Sequence, residues 1–361
     1  MPSPDTRPQF LDDSETSALR AVQAHIRYVD AFERQLKELF FIDNPAFIGK
    51  EKASAYAGAE FAAYVAAKGN SYTHVYYPWN HHLVKTVSAD DYFRLKTNRN
   101  QDLITASEQR ILRGYRVAVF GLSVGSNVAF TLTQAGISNS IVIADFDELD
   151  TTNLNRILAG VHQVGLNKSI VAARRIYEDN PFAEVESHEE GMSPGSLKSL
   201  LKKKKIDCII DEVDDMPFKV EARKLALQYR IPVIMITDNG DGVVLHVERY
   251  DLGYDKIFGK PIPDFDALLQ QPMAKEAAGK IIMEYIVGGI DHVDPAMIAS
   301  VKRVLARELV SWSQLGSAAL LGGVVATYMI KQIALKRNVE PDIRAYISPT
   351  RSQWERHQSD I

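Results

Sequence analysis

The residues equipped for chemistry in this chain lie between Gly121 and Asp215. Gly121-Leu-Ser-Val-Gly-Ser126 follows the apolar run Arg116 to Phe120 and opens a helical stretch. Gly121 and Gly125 allow a tight turn and close backbone approach, while the helix that follows turns free N–H groups and its positive dipole end toward an anion. Asp145 ends the next apolar run, about twenty residues on, where a carboxylate can accept hydrogen bonds from both ribose hydroxyls. Asp147, Glu148 and Asp150 follow, an acidic cluster that suits a polyphosphate only if cations stand beside it. Arg156 and Lys168 supply them: a planar fork and a mobile point charge, both matched to phosphate oxygens. In Ile210-Asp-Glu-Val-Asp-Asp215, acids end a later strand, where a carboxylate can hold Mg²⁺ through water. The glycine turn alone would serve NAD, FAD, ATP or S-adenosylmethionine equally.

Positioning these residues requires strands that alternate with helices. The pattern predicts strands at 116–120, 141–144, 185–188, 208–210 and 233–236, separated by helices at 126–134, 167–179, 193–203 and 217–229. Repeated units of this kind imply right-handed crossovers and a mostly parallel sheet. Val243 to Tyr250 is expected to pair antiparallel at one side, after a sharp turn at Asp238-Asn-Gly-Asp-Gly. Residues 251–293 read as loop with short helices, and two helices at about 295–310 and 316–335 follow. In the first ninety or so residues, apolar positions Leu19, Val22, Ile26, Val29, Phe32, Leu36 and Leu39 recur at helical spacing. That region is expected to be a mainly helical module over 1–94, with a possible short strand near Thr73. An α/β domain over 95–340 and a tail over 341–361 complete the chain.

Composition narrows the function. A net charge of −4 over 361 residues gives no basic excess, so nucleic acid is not an expected partner. Lys202 to Lys205 reads as a solvated helix end. The one cysteine, Cys208, excludes an internal disulfide and reads as a buried strand residue. Met1-Pro-Ser-Pro-Asp has no secretory apolar core, and the apolar stretch Leu315 to Ile330 falls short of the ~18 residues of a membrane span, so no membrane partner and a cytoplasmic location are expected.

In order and spacing, Gly-x-x-x-Gly, Asp-Phe-Asp, Asn-Leu-Asn-Arg, Gly-x-x-Lys and a strand-end Asp resemble the ThiF/MoeB and ubiquitin-activating E1 superfamily over about residues 95 to 337. The resemblance implies a Rossmann-like α/β fold and an ATP site in which Asp145 takes the ribose and Asn153, Arg156 and Lys168 take the phosphates. Gly121, Ser123, Gly125, Ser126 and Asp147 would complete that site, and Asp214 would be the Mg²⁺-associated carboxylate. Homodimers of the family insert an arginine into the partner's site; Arg99, in Thr97-Asn-Arg-Asn-Gln101, is the candidate here. The chain departs from the pattern at Ser123 and Val124, where glycines are usual, and its turn is one residue shorter. It lacks the two Cys-x-x-Cys pairs that bind zinc in many relatives, so no zinc is expected, and it has no cysteine after Cys208 to form a thioester.

The resemblance therefore implies an ATP-dependent adenylyltransferase that activates a carboxylate as an acyl-adenylate, releases pyrophosphate and passes the product to an external nucleophile. The carboxylate would be a peptide or small-protein C-terminus, or a small molecule. The alternatives are a non-catalytic E1-like partner subunit and a Rossmann-type NAD-dependent oxidoreductase.

Overall fold

The computed structural model describes residues 6–23, 25–49, 51–69, 71–262 and 282–349. Residues 350–361 of the expected tail, and part of the expected short helices within 251–293, lie outside them.

The helical spacing between Leu19 and Leu39 does not produce one helix. Asp12 caps α1 (Asp13–Val22) through a capping box with Glu15, and the chain then forms a strand, β2 (Arg27–Asp30), before α2 (Phe32–Asp43). Val22 and Val29, which one continuous helix would have buried, are 84% and 44% exposed. Asp30 Oδ1 accepts from Phe32 N at 3.1 Å, which restarts the helix. The Ala-rich segment that follows forms two helices, α3 (Lys52–Ala57) and α4 (Ala59–Lys68), parted at Gly58. β1 (Gln9–Leu11), β3 (Tyr72–Tyr77) and β4 (His82–Val87) join β2 in a four-stranded sheet of order β1-β3-β4-β2. The module's helices are thus organised around a sheet of which the sequence signalled one strand. α5 (Ala89–Thr97) follows and runs across the boundary expected at 94/95. The module is tied to the rest of the chain by Trp79 Nε1, which donates to Glu178 at 2.7 Å, by Tyr92 OH, which donates to the Asp179 carbonyl at 2.6 Å, and by the Lys96–Asp179 ion pair.

After α6 (Ala106–Gly114), the alternation runs β5 (Val117–Phe120), α7 (Val124–Gln134), β6 (Ser140–Ala144), α8 (Lys168–Asp179), β7 (Glu184–His188), α9 (Pro194–Lys202), β8 (Cys208–Asp211), α10 (Met216–Tyr229), β9 (Val233–Asn239) and β10 (Gly242–Glu248). A small hairpin, β11 (Lys256–Ile257) and β12 (Lys260–Pro261), follows, then α11 (Pro295–Leu305), α12 (Gly316–Ala334) and β13 (Asp342–Ile347). The large sheet has seven strands in the order β13-β10-β9-β8-β5-β6-β7, parallel from β7 through β9. β10 is antiparallel to β9, as its sequence predicted. The stretch expected to be tail supplies β13, paired antiparallel with β10 from Asp342↔Glu248 to Ile347↔Val243. Every residue of β10 is buried, so it is an interior strand and its free edge requires a partner.

β5, β6, β8 and the first half of β9 are apolar almost without alternation because helices cover both faces, whereas β7 at the edge is not. α12 is long and apolar enough to cross a membrane by length and composition. One face of it enters the core, with Ala318, Ala319, Ala326 and Ile330 buried in one cluster with β5, β9 and β10, while Leu320, Val324 and Tyr328 on the opposite face are exposed. Gly323 permits close contact with α7, since a Cβ there would stand 2.8 Å from the Asn127 carbonyl oxygen. Thr131 Oγ1 donates to the Gly323 carbonyl at 3.0 Å across the same crossing.

One polar network lies inside this core. Asp211 at the end of β8 pairs with Lys219 at 3.1 Å and with Arg223, whose Nε donates to Glu248 on β10 at 2.6 Å. Arg223 is fully buried, with its guanidinium 4.1 Å from the centre of the Phe258 ring. Removing the cation leaves two buried carboxylates short of a partner. Arg223→Met should therefore cost about 3–5 kcal/mol in urea unfolding. Arg223→Met with Glu248→Gln should recover part of that loss; an unchanged loss in the double variant would show that uncompensated charge is not its cause.

Candidate functional site

β5 ends in the glycine turn, and Gly121 N donates to Ala144 O at 2.9 Å, binding the turn to the end of β6. Gly121 has φ +84°, and a Cβ there would collide with the backbone of Glu212 just beyond β8. The turn is pressed between two neighbouring strand ends, so only glycine fits. Gly125 meets a similar limit, with Val119 Cγ1 2.8 Å from where its Cβ would be.

The shorter turn is absorbed by α7, which begins at Val124, two residues earlier than the sequence suggested. Ser123 sits at its N-cap position without capping it. The Ser123 hydroxyl accepts instead from Arg156 Nε at 2.9 Å, and its carbonyl accepts from Ser126 Oγ at 2.8 Å. A glycine in that position would offer Arg156 no such post. Arg156 Nη1 also donates to Asn155 Oδ1 at 3.0 Å and the Thr152 carbonyl at 3.3 Å. Burial draws the guanidinium pKa down from its usual value, and the charges of Asp238 and Asp214 oppose that shift.

Asp145, at the end of β6, is buried, and both its oxygens accept backbone N–H groups, from Leu122 at 2.6 Å and Asp147 at 2.8 Å. Burial raises its pKa, and those two hydrogen bonds and Lys168 counteract it. A carboxylate has about four lone-pair sites, so ribose hydroxyls can still be accepted. Lys168 opens α8, with Nζ 2.7 Å from Asp147 Oδ2 and its N–H bonded to the Asp147 carbonyl at 2.9 Å. Asn167 caps α8 by accepting from Ser169 N at 2.8 Å, and its Nδ2 donates to the Asp145 carbonyl at 3.1 Å. Ser126 and Lys168 border the same small cleft beside Ile157. Asn153 lies in the loop that carries Arg156, its Oδ1 accepting from Asp150 N at 3.0 Å.

Asp214 is exposed in the loop after β8, while the adjacent Asp215 caps α10 by accepting from Phe218 N at 3.0 Å. Among the described residues no group of three or more His, Cys, Asp or Glu side chains could hold a metal alone. A single exposed carboxylate fits an ion such as Mg²⁺ whose remaining ligands are phosphate oxygens and water. Arg99 is not brought to these residues in its own chain. It is exposed in a turn whose next residue, Asn100, donates through Nδ2 to the Ala135 carbonyl at 3.3 Å. That is the far end of α7, roughly 16 Å from the glycine turn at 1.5 Å per residue.

Two acids at this sheet edge were given no role of their own in the sequence. β9 continues to Asn239, three residues past its predicted end, and so brings Asp238 to the edge that β5, β6 and β8 share. Burial raises the Asp238 pKa to about 6, against the charge of Arg156 and the nearby Gln314 side chain. Neither of its oxygens meets a hydrogen-bond partner in full geometry. Glu212 is also raised well above the usual value by burial, with Oε1 accepting from Ile236 N at 2.7 Å. The strand-end rule that drew attention to the acids of Ile210-Asp-Glu-Val-Asp-Asp215 applies equally to Asp238, which a turn-forming sequence concealed.

A glycine turn, a ribose-position acid and paired cations at the carboxyl edge of a parallel sheet define a Rossmann-like nucleotide-binding unit. Residues 95–358 match the ThiF family, and the chain belongs to that family. It is 34% identical to an uncharacterised protein of Mycobacterium tuberculosis over 269 residues, 73% of this chain and 36% of that protein. It is 30% identical to the ubiquitin-like modifier-activating enzyme 5 of Caenorhabditis briggsae over 141 residues, 36% of this chain and 32% of that enzyme. The matches thus cover about a third of the length of these curated relatives. Among solved structures, the Escherichia coli tRNA N6-threonylcarbamoyladenosine dehydratase TcdA in complex with AMP aligns with a TM-score of 0.50 at 17% identity, over 70% of this chain and 98% of that one. PaaA aligns with a TM-score of 0.50 at 19% identity, over 88% of this chain and 94% of its own. Both share the fold, and the PaaA alignment is long enough to take in part of the N-terminal module.

The Asp238 shift has a definite sign. The group ionises near 3.8 when free and near about 6 in the fold, so between those values the native state keeps a proton that the unfolded chain has lost. Its contribution to stability is present below the lower value and lost as pH rises through the upper one. Asp238→Asn should therefore raise the unfolding free energy at pH 8 by about 1–3 kcal/mol and change it little at pH 4. Urea titrations at the two pH values check this, and an equal gain at both would exclude charge as the cause. Gly121→Ala should lower the melting temperature by several degrees, because it adds both an unfavourable φ and a backbone collision.

Proposed function

We propose that this ThiF-family chain is an ATP-dependent adenylyltransferase that activates a carboxylate. The observation that carries the reading is the meeting of the Gly121 turn, Asp145, the Ser123-anchored Arg156 and the Asp147-held Lys168 at one sheet edge. A nicotinamide cofactor would use the turn and Asp145 but gives no task to Arg156, Lys168 and Asp214 together, and family membership disfavours it as well.

In this reading Asp145 accepts the ribose hydroxyls, and the free N–H groups at the start of α7 face the phosphates. A carboxylate oxygen of the substrate attacks the α-phosphorus, the bond to the β-phosphate bridging oxygen breaks, and pyrophosphate leaves with the electron pair. Arg156 and Lys168 stabilise the charge as it moves onto the departing oxygens. Asp214 would hold Mg²⁺, which supplies further charge neutralisation when bound. Arg156 is preorganised for its part by hydrogen bonds to Ser123, Thr152 and Asn155.

The chain's one thiol is unsuited to take the acyl group. Cys208 is fully buried in β8, and burial pushes its pKa upward. The acyl-adenylate is therefore assigned to an external nucleophile. Likeness to a ubiquitin-like modifier-activating enzyme favours a peptide or small-protein C-terminus as the carboxylate, with a small molecule as the second reading. The separation of Arg99 from its own site supports a homodimer in which it serves the partner's.

ATP–pyrophosphate exchange against peptide and small-molecule carboxylates tests the reading. Arg156→Ala should lower exchange about 100-fold or more, and Asp214→Ala about 10-fold or more. An Arg99→Ala preparation mixed with an Arg156→Ala preparation should regain part of the parent activity, because some mixed dimers hold one intact site. No recovery on mixing would place Arg99 outside the partner's site.

A further inference from the structure

We propose that Asp238 selects, for the adenylation reaction above, a carboxylate substrate that also carries a cationic group, an ammonium or a guanidinium, and holds that group as an ion pair. The inference rests on the adenylation reading and adds the substrate's chemical class.

Sheet order places Asp238. β6, with Asp145, lies on one side of β5, and β8 and β9 lie on the other. With the ribose on the β6 side and the triphosphate at the β5 turn, the substrate has the β8–β9 side left to approach from. Two steps of about 4.8 Å separate β5 from β9, so Asp238 stands about 10 Å across the edge from the turn, away from the ribose position.

The side chain is incomplete as it stands. Both Asp238 oxygens are withheld from water and have no hydrogen bond of full geometry; among the described residues the Gln314 side chain is the one donor near them, and a buried carboxylate so poorly supplied is costly. The charged groups around it do not supply the missing partner. Lys219 is held by Asp211 at 3.1 Å, and Arg156 is anchored by Ser123, Asn155 and the Thr152 carbonyl. The remaining neighbours that act on these groups, Glu212 and Asp214, are acids, and Gln314 is neutral. When a triphosphate draws on Arg156, Asp238 loses the one cation that balances it. A substrate bearing its own cation restores the balance; one bearing a second anion meets repulsion from Asp238 and Asp214.

The test is ATP–pyrophosphate exchange by the full chain with matched carboxylates: amino acids and their N-acetyl derivatives, and tripeptides ending in lysine, norleucine or glutamate. The cationic members should exceed their neutral partners in kcat/KM by about 30-fold or more, with the glutamate peptide weakest. Asp238→Asn, expected to fold from its predicted stability, should erase that preference mainly through KM, and Asp238→Glu should restore part of it. In the parent protein, KM for the cationic substrates should fall as pH rises through about 6, where Asp238 ionises, and the Asn variant should lack this dependence. Equal exchange with cationic and neutral substrates would overturn the inference. So would an Asn variant that slows both classes alike, or exchange that improves below pH 6, which would make Asp238 a protonated donor to the reacting carboxylate. Exchange with none of the carboxylates would overturn the adenylation reading itself, and this inference with it.

Discussion

The site depends on the two backbone hydrogen bonds accepted by the Asp145 carboxylate. One oxygen takes Leu122 N–H from the β5 turn and the other takes Asp147 N–H from its own loop. Its carbonyl takes Asn167 Nδ2, and Asn167 in turn caps α8, whose first residue is Lys168. One residue thus sets the glycine turn, the acid that holds Lys168 and the helix from which Lys168 projects. Because Asp145 is buried, these hydrogen bonds are shielded from competing water and hold the turn in place before a ligand arrives.

A similar economy explains the departures from the family pattern. Losing a glycine from the turn would be expected to misplace the phosphate-facing helix. Instead α7 starts earlier, and the replacing serine accepts Arg156 Nε, so the changed residue positions a cation that the proposed chemistry needs. Beyond the turn, β8 carries its charge in two directions. Asp211 points into the buried network with Lys219 and Arg223, whereas Glu212 and Asp214 belong to the sheet edge and its loop. Adjacent acids in sequence therefore perform separate tasks, structural on one side and site-facing on the other.

Much of this was legible in the sequence where periodicity and position agree. Apolar runs bounded by turn residues located the central parallel strands, and the strand-end rule drew attention to Asp145 and to the acids after β8, among which the family resemblance chose Asp214. The N-terminal module was not, because Leu19 to Leu39 has helical spacing while Arg27–Asp30 pairs as a strand with a segment more than fifty residues away. Pairing at that distance leaves no local signature. β13 was missed for the same reason, since its partner β10 lies about a hundred residues earlier in the chain. Asp238 was hidden by composition: Asp-Asn-Gly-Asp-Gly signals a turn, and the turn is there at Gly240-Asp241, but antiparallel pairing with β10 keeps the strand extended through Asp238 and Asn239. Arg99 shows the limit of motif transfer, because a matching segment identifies a candidate without saying which copy of the site it can reach.

If the β5, β6 and β8 strand ends form a triphosphate site, ATP should bind there in preference to a dinucleotide. Titration calorimetry of the full chain with ATP and with NADH, each in the presence of Mg²⁺, tests this most directly. Saturable binding of ATP is expected, weakened by added salt because Arg156 and Lys168 would supply much of the attraction, with no measurable binding of NADH at the same concentrations. Tighter binding of NADH than of ATP would contradict such a site.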